Sequence, residues 1–317
     1  MSIYITIDGG TTNTRINLVN DRKIIDSINL SIGAYANIEK GYLFKNEIKS
    51  AIERLLNNNS LKEKDIVRIL VSGMITSEFG LCKLEHIRVP AGIAELCVNA
   101  KEMKIEEISS VPIVFICGVK TIGGSFENCD IMRGEETELM GIANTDYGKC
   151  VYVLPGSHTK IIKTDEAGRI VDFTTMLTGE MIKAISQNTI LKDAVKLNNS
   201  DINSSYLLKG YDYCCSEGIN KSLFKARILK NVFNCTNDEI YSFFMGTVLC
   251  DEIKQIQKAD AQAVILGGKA QIKEALSIIL RARDNKKIIT LDDDTVKTAT
   301  VLGAIRIFEN DIILSRS

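Results

Sequence analysis

The chain has 317 residues, 45% of them hydrophobic and 25% charged, with a net charge of −1. That length and apolar content suit two globular domains with separate cores. The near-neutral balance removes any bulk electrostatic case for nucleic acid or an anionic membrane, so neither partner is expected.

The start carries no basic segment and no small-residue cleavage site before the strand-like Ile3-Tyr4-Ile5-Thr6-Ile7. No apolar run is long enough for a bilayer, so a cytoplasmic protein is expected. The nine cysteines are odd in number and scattered without a CxxC pair, which argues against a disulfide framework or a zinc site. His86 and His158 are the only histidines, so a catalytic thiol would lack its usual partner.

In chain order, Ile3 to Ile7, Thr14 to Val19 and Lys23 to Leu30 read as three strands joined by Asp8–Asn13 and Asn20-Asp21-Arg22 turns. Lys45 to Asn57 reads as a helix with Ile48, Ile52, Leu55 and Leu56 on one face. Val67 to Val71 and Pro112 to Cys117 read as buried-type strands, and Ala91 to Lys101 and Glu135 to Ala143 as helices. A second strand series follows: Val151 to Leu154, Thr159 to Thr164 and Arg169 to Phe173. Helices are expected at Thr178 to Asn188, Glu217 to Asn231, Tyr241 to Gln257, Ala270 to Ile279 and Val296 to Phe308. Strands are expected at Ala263 to Leu266 and Lys287 to Leu291.

The two strand series are weakly alike. Tyr4-Ile5-Thr6-Ile7 parallels Tyr152-Val153-Leu154, and Thr14-Arg15-Ile16 parallels Thr159-Lys160-Ile161. Lys23-Ile24-Ile25-Asp26 likewise parallels Arg169-Ile170-Val171-Asp172. Two hairpin-led halves predict two α/β domains facing across a cleft, with a boundary between Asn144 and Lys149. The expected domains are 1–146 and 147–317.

The strongest motif is Asp8-Gly9-Gly10-Thr11-Thr12-Asn13-Thr14-Arg15. Glycines allow a phosphate close to the backbone, where N–H groups and threonine hydroxyls can bond its oxygens. A strand-end carboxylate such as Asp8 suits Mg²⁺ held through water, and Arg15 adds a forked cation. The plainer reading is a hairpin turn that happens to use glycines. GxxxxGKS and GxxxxGKT loops are absent, so this is no Walker-type kinase, and the lack of GxGxxG after the first strand disfavours a Rossmann dehydrogenase.

DGGTTNTR resembles the first phosphate loop of the actin-like ATPase and sugar-kinase superfamily. Leu154-Pro155-Gly156-Ser157-His158-Thr159-Lys160 falls where its second phosphate loop stands, and Val264-Ile265-Leu266-Gly267-Gly268 looks like its adenosine motif. The last helix, with Ala299, Gly303 and Ala304, looks like its second connecting segment.

Three strings resemble the 2-dehydro-3-deoxygalactonokinase family in particular. They are Ile131-Met132-Arg133-Gly134-Glu135-Glu136-Thr137-Glu138, the loop from Leu154 to Lys160, and Thr178-Gly179-Glu180. Ser72-Gly73-Met74-Ile75 and Val89–Leu96 also fit. The resemblance spans nearly the whole chain. It implies two actin-like (ribonuclease H-like) α/β domains with mixed sheets flanked by helices and an active site in the interdomain cleft. It implies ATP and Mg²⁺ as cofactors and phosphorylation of the terminal (6-) hydroxyl of 2-dehydro-3-deoxy-D-galactonate. Two positions depart from the family pattern: Ile161 follows the loop lysine where a tryptophan is frequent, and Gly9 stands where a bulky residue is common. These bear on substrate specificity more than on reaction class.

The expected acid–base group is Glu135 or Glu136, with Asp8 on the metal side; acidic residues also favour a helix first turn for the dipole alone. Arg133 is a candidate for the substrate carboxylate or for a surface salt bridge. Gly73, Met74, Pro90, His158 and Glu180 are candidate substrate residues, and Glu180 could equally be an ordinary first-turn acid. Gly9, Gly10, Thr11, Thr12, Asn13, Arg15, Gly156, Ser157, Lys160, Gly267 and Gly268 are candidates for nucleotide and phosphate. Lys160 reads alternatively as a strand-edge lysine, and Gly267-Gly268 as a plain strand-to-helix turn. Asp292-Asp293-Asp294 reads as a solvated turn. The rival functions are a kinase for another sugar or sugar acid and a non-catalytic nucleotide-binding regulator. The expected partners are small molecules only; a homodimer is compatible with the sequence.

Overall fold

A computed structural model describes residues 2–197, 201–268 and 270–314. The chain forms two compact units. The first comprises Met1–Asn144, Arg169–Asp172 and Asp294–Ser317, and the second Thr145–Gly168 and Phe173–Asp293. The division is therefore not a single cut: the last helix, expected in 147–317, packs with the first unit.

The elements of the first unit's leading stretch, up to Asn144, are β1 (Ile3–Gly9), β2 (Thr14–Asn20), β3 (Lys23–Leu30), α1 (Ala36–Asn58), β4 (Ile66–Gly73) and β5 (Ile87–Arg88). They continue with α2 (Ile93–Val98), β6 (Lys101–Ile105), β7 (Ser109–Phe115), β8 (Val119–Thr121), β9 (Asp130–Met132) and α3 (Glu135–Ile142). The six-stranded sheet has the order β3-β2-β1-β4-β7-β6, and β5-β8-β9 form a smaller one. β1 runs antiparallel to β2 and parallel to β4. Its near-continuous apolar run suits a central strand, whereas β3 alternates between exposed and half-buried positions, as an edge strand should.

Ile5, Ile7, Ile16 and Leu18 of the first hairpin share a core with Phe44, Ile48, Ile52 and Leu55 of α1. Those α1 residues recur every three or four positions, so one stripe faces the sheet. Each such side chain contributes roughly 1.5–3 kcal/mol on burial. The helix starts at Ala36, well before the expected Lys45. Lys101, expected as helical, instead opens β6, which pairs antiparallel with β7.

The remaining elements are β10 (Cys150–Leu154), β11 (Thr159–Thr164), β12 (Ile170–Met176), α4 (Thr178–Asn188), α5 (Ser204–Glu217) and α6 (Ile219–Asn231). After them come α7 (Asn237–Val248), α8 (Cys250–Lys258), β13 (Ala263–Leu266), α9 (Ala270–Arg283), β14 (Lys287–Thr290) and α10 (Asp293–Leu314). Their sheet has the order β12-β11-β10-β13-β14, with β13 parallel to β10 and to β14. Both large sheets thus place three consecutive strands beside a parallel strand that arrives later in the chain.

α5 was not expected from the sequence; Asn203 caps it by accepting the Tyr206 N–H. The helix expected over Tyr241 to Gln257 is broken at Leu249, whose ψ of 0° departs from helical geometry. The halves have different surroundings: residues Ile240–Val248 are buried all round, while α8 buries Cys250, Ile253 and Ile256 on one side. Among the described residues no helix is long and apolar enough to cross a membrane.

α10 rests on α3 through two glycines. A Cβ on Gly303 would lie 1.8 Å from the Thr137 carbonyl oxygen, and one on Gly141 would lie 1.9 Å from that of Ala299. Arg306 donates to the Met140 and Gly141 carbonyls at 2.9 and 3.0 Å, satisfying the open C-terminal end of α3. Gly303→Ala must therefore push the two helices apart. A loss of about 1–3 kcal/mol is expected, the usual cost of overpacking. Denaturant unfolding of the variant beside the parent checks this, and an unchanged midpoint would contradict the close crossing.

Candidate active site

In the first unit, antiparallel register sets Asp8 directly opposite Arg15, so both side chains lie on one face of the sheet. The turn between them closes with Gly10 N–H donating to Asn13 C=O at 2.8 Å, and leaves Thr11, Thr12 and Asn13 exposed. Ala34 and Tyr35 N–H groups hold the Gly10 and Thr11 carbonyls at 3.0 and 3.2 Å, which anchors the turn's entrance. Arg15 Nε donates to Asn29 Oδ1 at 3.3 Å.

β4 ends beside this turn. Parallel register aligns Asp8 with Ser72 and Gly9 with Gly73. Gly73 has φ +84°, and a Cβ there would lie 2.6 Å from the Gly9 carbonyl oxygen and 3.1 Å from Asp8 Oδ1. Gly134 has φ +114°, and its Cβ would lie 3.3 Å from the Gly73 Cα. Only glycine suits these backbone angles and this spacing. The N-terminus of α3 is thereby laid against the ends of β1 and β4.

Three acids occupy the first turn of α3: Glu135, Glu136 and Glu138. They are not equivalent. Glu136 is wholly buried, and Gly134 N–H donates to both its oxygens at 2.9 and 2.8 Å. Burial, then the Glu135 charge, push its carboxyl up to about 8. Glu135 is half-buried and accepts from Arg133 N–H at 3.2 Å. Glu138 follows three residues later on the same helix face. Burial raises it to about 7, helped by the charges of Glu135 and Asp8 and opposed by Arg15. Asp8 is raised by burial, with Arg15 opposing and Glu135 adding to the shift. Asp8, Glu135 and Glu138 therefore form one mutually repelling group, with Arg15 as its cation.

Arg133 is neither a surface salt bridge nor an open fork. Its Nη1 donates to Thr76 C=O and Oγ1 at 2.8 and 2.7 Å, and its Nη2 to Leu84 C=O at 2.8 Å. Nη2 also meets His86 Nδ1 at 3.2 Å. A guanidinium only donates, so Nδ1 accepts and His86 carries its proton on Nε2. Arg133 thus ties the Met74–Thr76 turn to the approach to β5. Met74 is half-buried at the start of that turn, and Pro90 is exposed between β5 and α2.

In the second unit the turn Pro155–His158 joins β10 to β11. Gly156 is half-buried, and Ser157 and His158 are exposed. The α4 N-terminus grips this turn: Gly179 and Glu180 N–H groups donate to Ser157 C=O at 3.0 and 3.2 Å. His158 Nε2 lies 3.1 Å from Glu180 Oε1. Thr178, the first residue of α4, gives its hydroxyl proton to the buried Glu252. Lys160 is buried and donates to Thr175 Oγ1 at 2.7 Å; β11 lies between β12 and β10, so this is no strand-edge lysine. Gly267 N–H donates to Val153 C=O at 2.9 Å, and Gly268, at φ +71°, packs against Pro155.

The profile of the family described as 2-keto-3-deoxy-galactonokinase matches residues 8–303, from the carboxylate of the first turn to the glycine under α3. The chain belongs to this kinase family. An Escherichia coli (strain K12) 2-dehydro-3-deoxygalactonokinase is 24% identical over 258 residues, 80% of either chain. A Sinorhizobium meliloti crystal structure, described provisionally as a 2-dehydro-3-deoxygalactonokinase, has a TM-score of 0.78 at 20% identity. It covers 96% of this chain and 99% of its own. The activator of 2-hydroxyisocaproyl-CoA dehydratase from Clostridium difficile, with bound ADPNP, has a TM-score of 0.51 at 12% identity over 99% and 98% of the two chains. These likenesses place the fold among actin-like ATPases and sugar kinases. Membership of a kinase family implies ATP as phosphoryl donor.

Within this 2-keto-3-deoxy-galactonokinase family member, sequence reasoning gave Glu138 no role, although its spacing from Glu135 was readable. It also missed Glu252, which no local pattern connects to Thr178. Burial raises the Glu252 carboxyl from 4.5 to about 7. Its folded value lies above its unfolded one, so the native state holds the proton longer, and stability falls as pH rises from about 4.5 through 7. Glu252→Gln mimics the protonated form. The variant should lose less stability across that window, by on the order of 2 kcal/mol. Thermal unfolding of both proteins at pH 5 and pH 8 measures the difference; Glu136 and Glu138 remain in both and cancel. Parallel curves would rule the linkage out.

Proposed function

We propose that the chain transfers the γ-phosphoryl group of ATP to the terminal 6-hydroxyl of 2-dehydro-3-deoxy-D-galactonate. The family match over residues 8–303 carries this reading. It is supported by acids gathered beside a glycine turn that exposes Thr11 and Thr12.

Phosphoryl transfer needs an acceptor held in line, a group to take the hydroxyl proton, and cations against the phosphate charge. We assign the proton acceptor to Glu135. Glu136 is enclosed and committed to Gly134 N–H, where it shapes the turn that presents Glu135. Gly9 and Gly10 let phosphate approach the backbone, Thr11, Thr12 and Asn13 offer N–H and hydroxyl donors, and Arg15 supplies positive charge. Gly73, Met74 and Pro90 border the sugar acid. Arg133 acts by holding the Met74–Thr76 turn in place, a different role from gripping the substrate carboxylate. Ser157, His158 and Gly156 offer donors to phosphate, Glu180 steadies His158, and Gly267 and Gly268 give the adenosine moiety close access to backbone. Lys160 supports the second turn from within the sheet.

Mg²⁺ would neutralise phosphate charge. Among the described residues no group of three acidic, histidine or cysteine side chains is placed to ligate an ion directly. Asp8 and Glu138, whose carboxyls are raised partly by neighbouring negative charge, fit a cation held through its waters. This reading places the enzyme in the cytoplasm, with ATP and a sugar acid as its partners.

Glu135→Gln should lower kcat by about 10²-fold or more, the usual contribution of a general base, with a smaller change in KM. Glu136→Gln should retain most turnover and lose stability instead. Steady-state kinetics and thermal unfolding of both variants check the assignment, and the reverse pattern would transfer it to Glu136.

The substrate is tested by coupled ATP turnover with Mg²⁺ against 2-dehydro-3-deoxy-galactonate, its gluconate epimer and neutral sugars. Turnover confined to the galactonate form is expected. Turnover with another sugar acid would discard the substrate and keep the reaction. ATP binding without turnover on any compound would favour a regulator.

A further inference from the structure

Three of the nine cysteines converge in the second unit. Cys214 and Cys215 lie in the last turn of α5, and Cys250 is the first residue of α8. Cys215 Sγ and Cys250 Sγ are 3.5 Å apart across 35 residues of sequence. Cys215 is exposed, while Cys214 and Cys250 are buried. Arg283 and Lys254 stand nearby, each held by a carboxylate: Arg283 by Asp212 at 2.7 Å and Lys254 by Asp251 at 3.2 Å.

We propose that Cys215 and Cys250 are a peroxide-driven disulfide site that controls the Pro155–His158 turn. The chemistry uses a hydroperoxide as oxidant. The Cys215 thiolate attacks one peroxide oxygen; an S–O bond forms, the O–O bond breaks, and the departing oxygen takes a proton and leaves as water or alcohol. The sulfur is now a sulfenic acid, oxidised by two electrons. The Cys250 thiol gives up its proton and attacks that sulfur; the S–S bond forms and the sulfenic oxygen leaves as water. Two thiols and one hydroperoxide thus become a disulfide, one water and one further water or alcohol. Exposure makes Cys215 the first to react, and the 3.5 Å separation puts Cys250 in place to resolve it; burial pushes the Cys250 thiol up and makes this second step the slower one. An S–S bond is about 2.05 Å, so the sulfurs must approach by roughly 1.5 Å.

That approach acts on the first turn of α8. Glu252 stands two residues beyond Cys250 and holds Thr178, and the next two residues, Gly179 and Glu180, hold Ser157. A pull on Cys250 therefore passes through one carboxylate to the helix end that fixes the turn. The disulfide loosens this grip.

The test uses the full chain treated with one equivalent of hydrogen peroxide. Titratable thiols should fall from nine to seven. Mass spectrometry of a non-reduced digest should find the Cys215–Cys250 link in the parent and in Cys214→Ser but not in Cys215→Ser, and dithiothreitol should reverse it. Hydrogen exchange of the Gly179 and Glu180 amides should quicken by about fivefold in the oxidised parent, a modest coupling between linked sites. Peroxide-treated Cys215→Ser should show no such change. A Cys214–Cys215 link, or over-oxidised Cys215 without any link, would overturn the site. A Cys215–Cys250 link with unchanged exchange would overturn its control of the turn. None of these readouts depends on kinase activity, so they stand or fall apart from the reaction proposed above.

Discussion

Everything in the first unit's acidic site depends on one backbone approach, that of Gly134 to Gly73 and of Gly73 to the Gly9 carbonyl. Side chains at these points would hold three chain segments apart. With none, the start of α3 comes down on the ends of β1 and β4, and its carboxylates share an environment with Asp8. The electrostatics follow from this packing. Glu138 is raised because Glu135 and Asp8 are near, and Arg15 tempers the repulsion because antiparallel register fixes it opposite Asp8. The chemistry assigned to the site is a consequence of where backbone can touch backbone.

The second unit positions its turn by another device. Rather than glycine-on-glycine contact alone, a helix N-terminus lends two N–H groups to the Ser157 carbonyl. That helix is itself tied by Thr178 to a carboxylate that burial keeps protonated to higher pH. Such a buried acid costs stability once ionised. The arrangement therefore joins the geometry of the turn to a proton, as the acids on α3 join theirs to any cation that neutralises them.

Much of this was legible in the chain. The glycine-threonine turn between apolar strands, the order of strands within each half and the acids at the start of a helix all rest on local pattern, and local pattern survives into the fold. Arg133 shows where the reading stopped. Sequence supplied a cation beside two acids, but its partners are Thr76, Leu84 and His86, which come near only through tertiary packing. The alternative of a strand-edge lysine at Lys160 fails because which strands become neighbours across the sheet is not written in local pattern, unlike their succession along the chain. Neither proline nor glycine stands at Leu249 itself, and Gly246 three residues earlier is still helical; α7 and α8 face different neighbours. Thr178 and Glu252 lie 74 residues apart, and no spacing rule links them.

The return of α10 to α3 carries a consequence for how the molecule is made. A ribosome delivers Gly141 long before Gly303, the residue that must slot beneath Thr137. Throughout the synthesis of residues 145–293 the first unit exists with one flank of α3 uncovered and with the Met140 and Gly141 carbonyls lacking Arg306. Nearly all of the second unit's chain has by then emerged as one stretch, free to close its own core. The unit whose strands are made first is thus the later one to be completed, and its acidic site gains final support only once α10 has followed the second unit's chain.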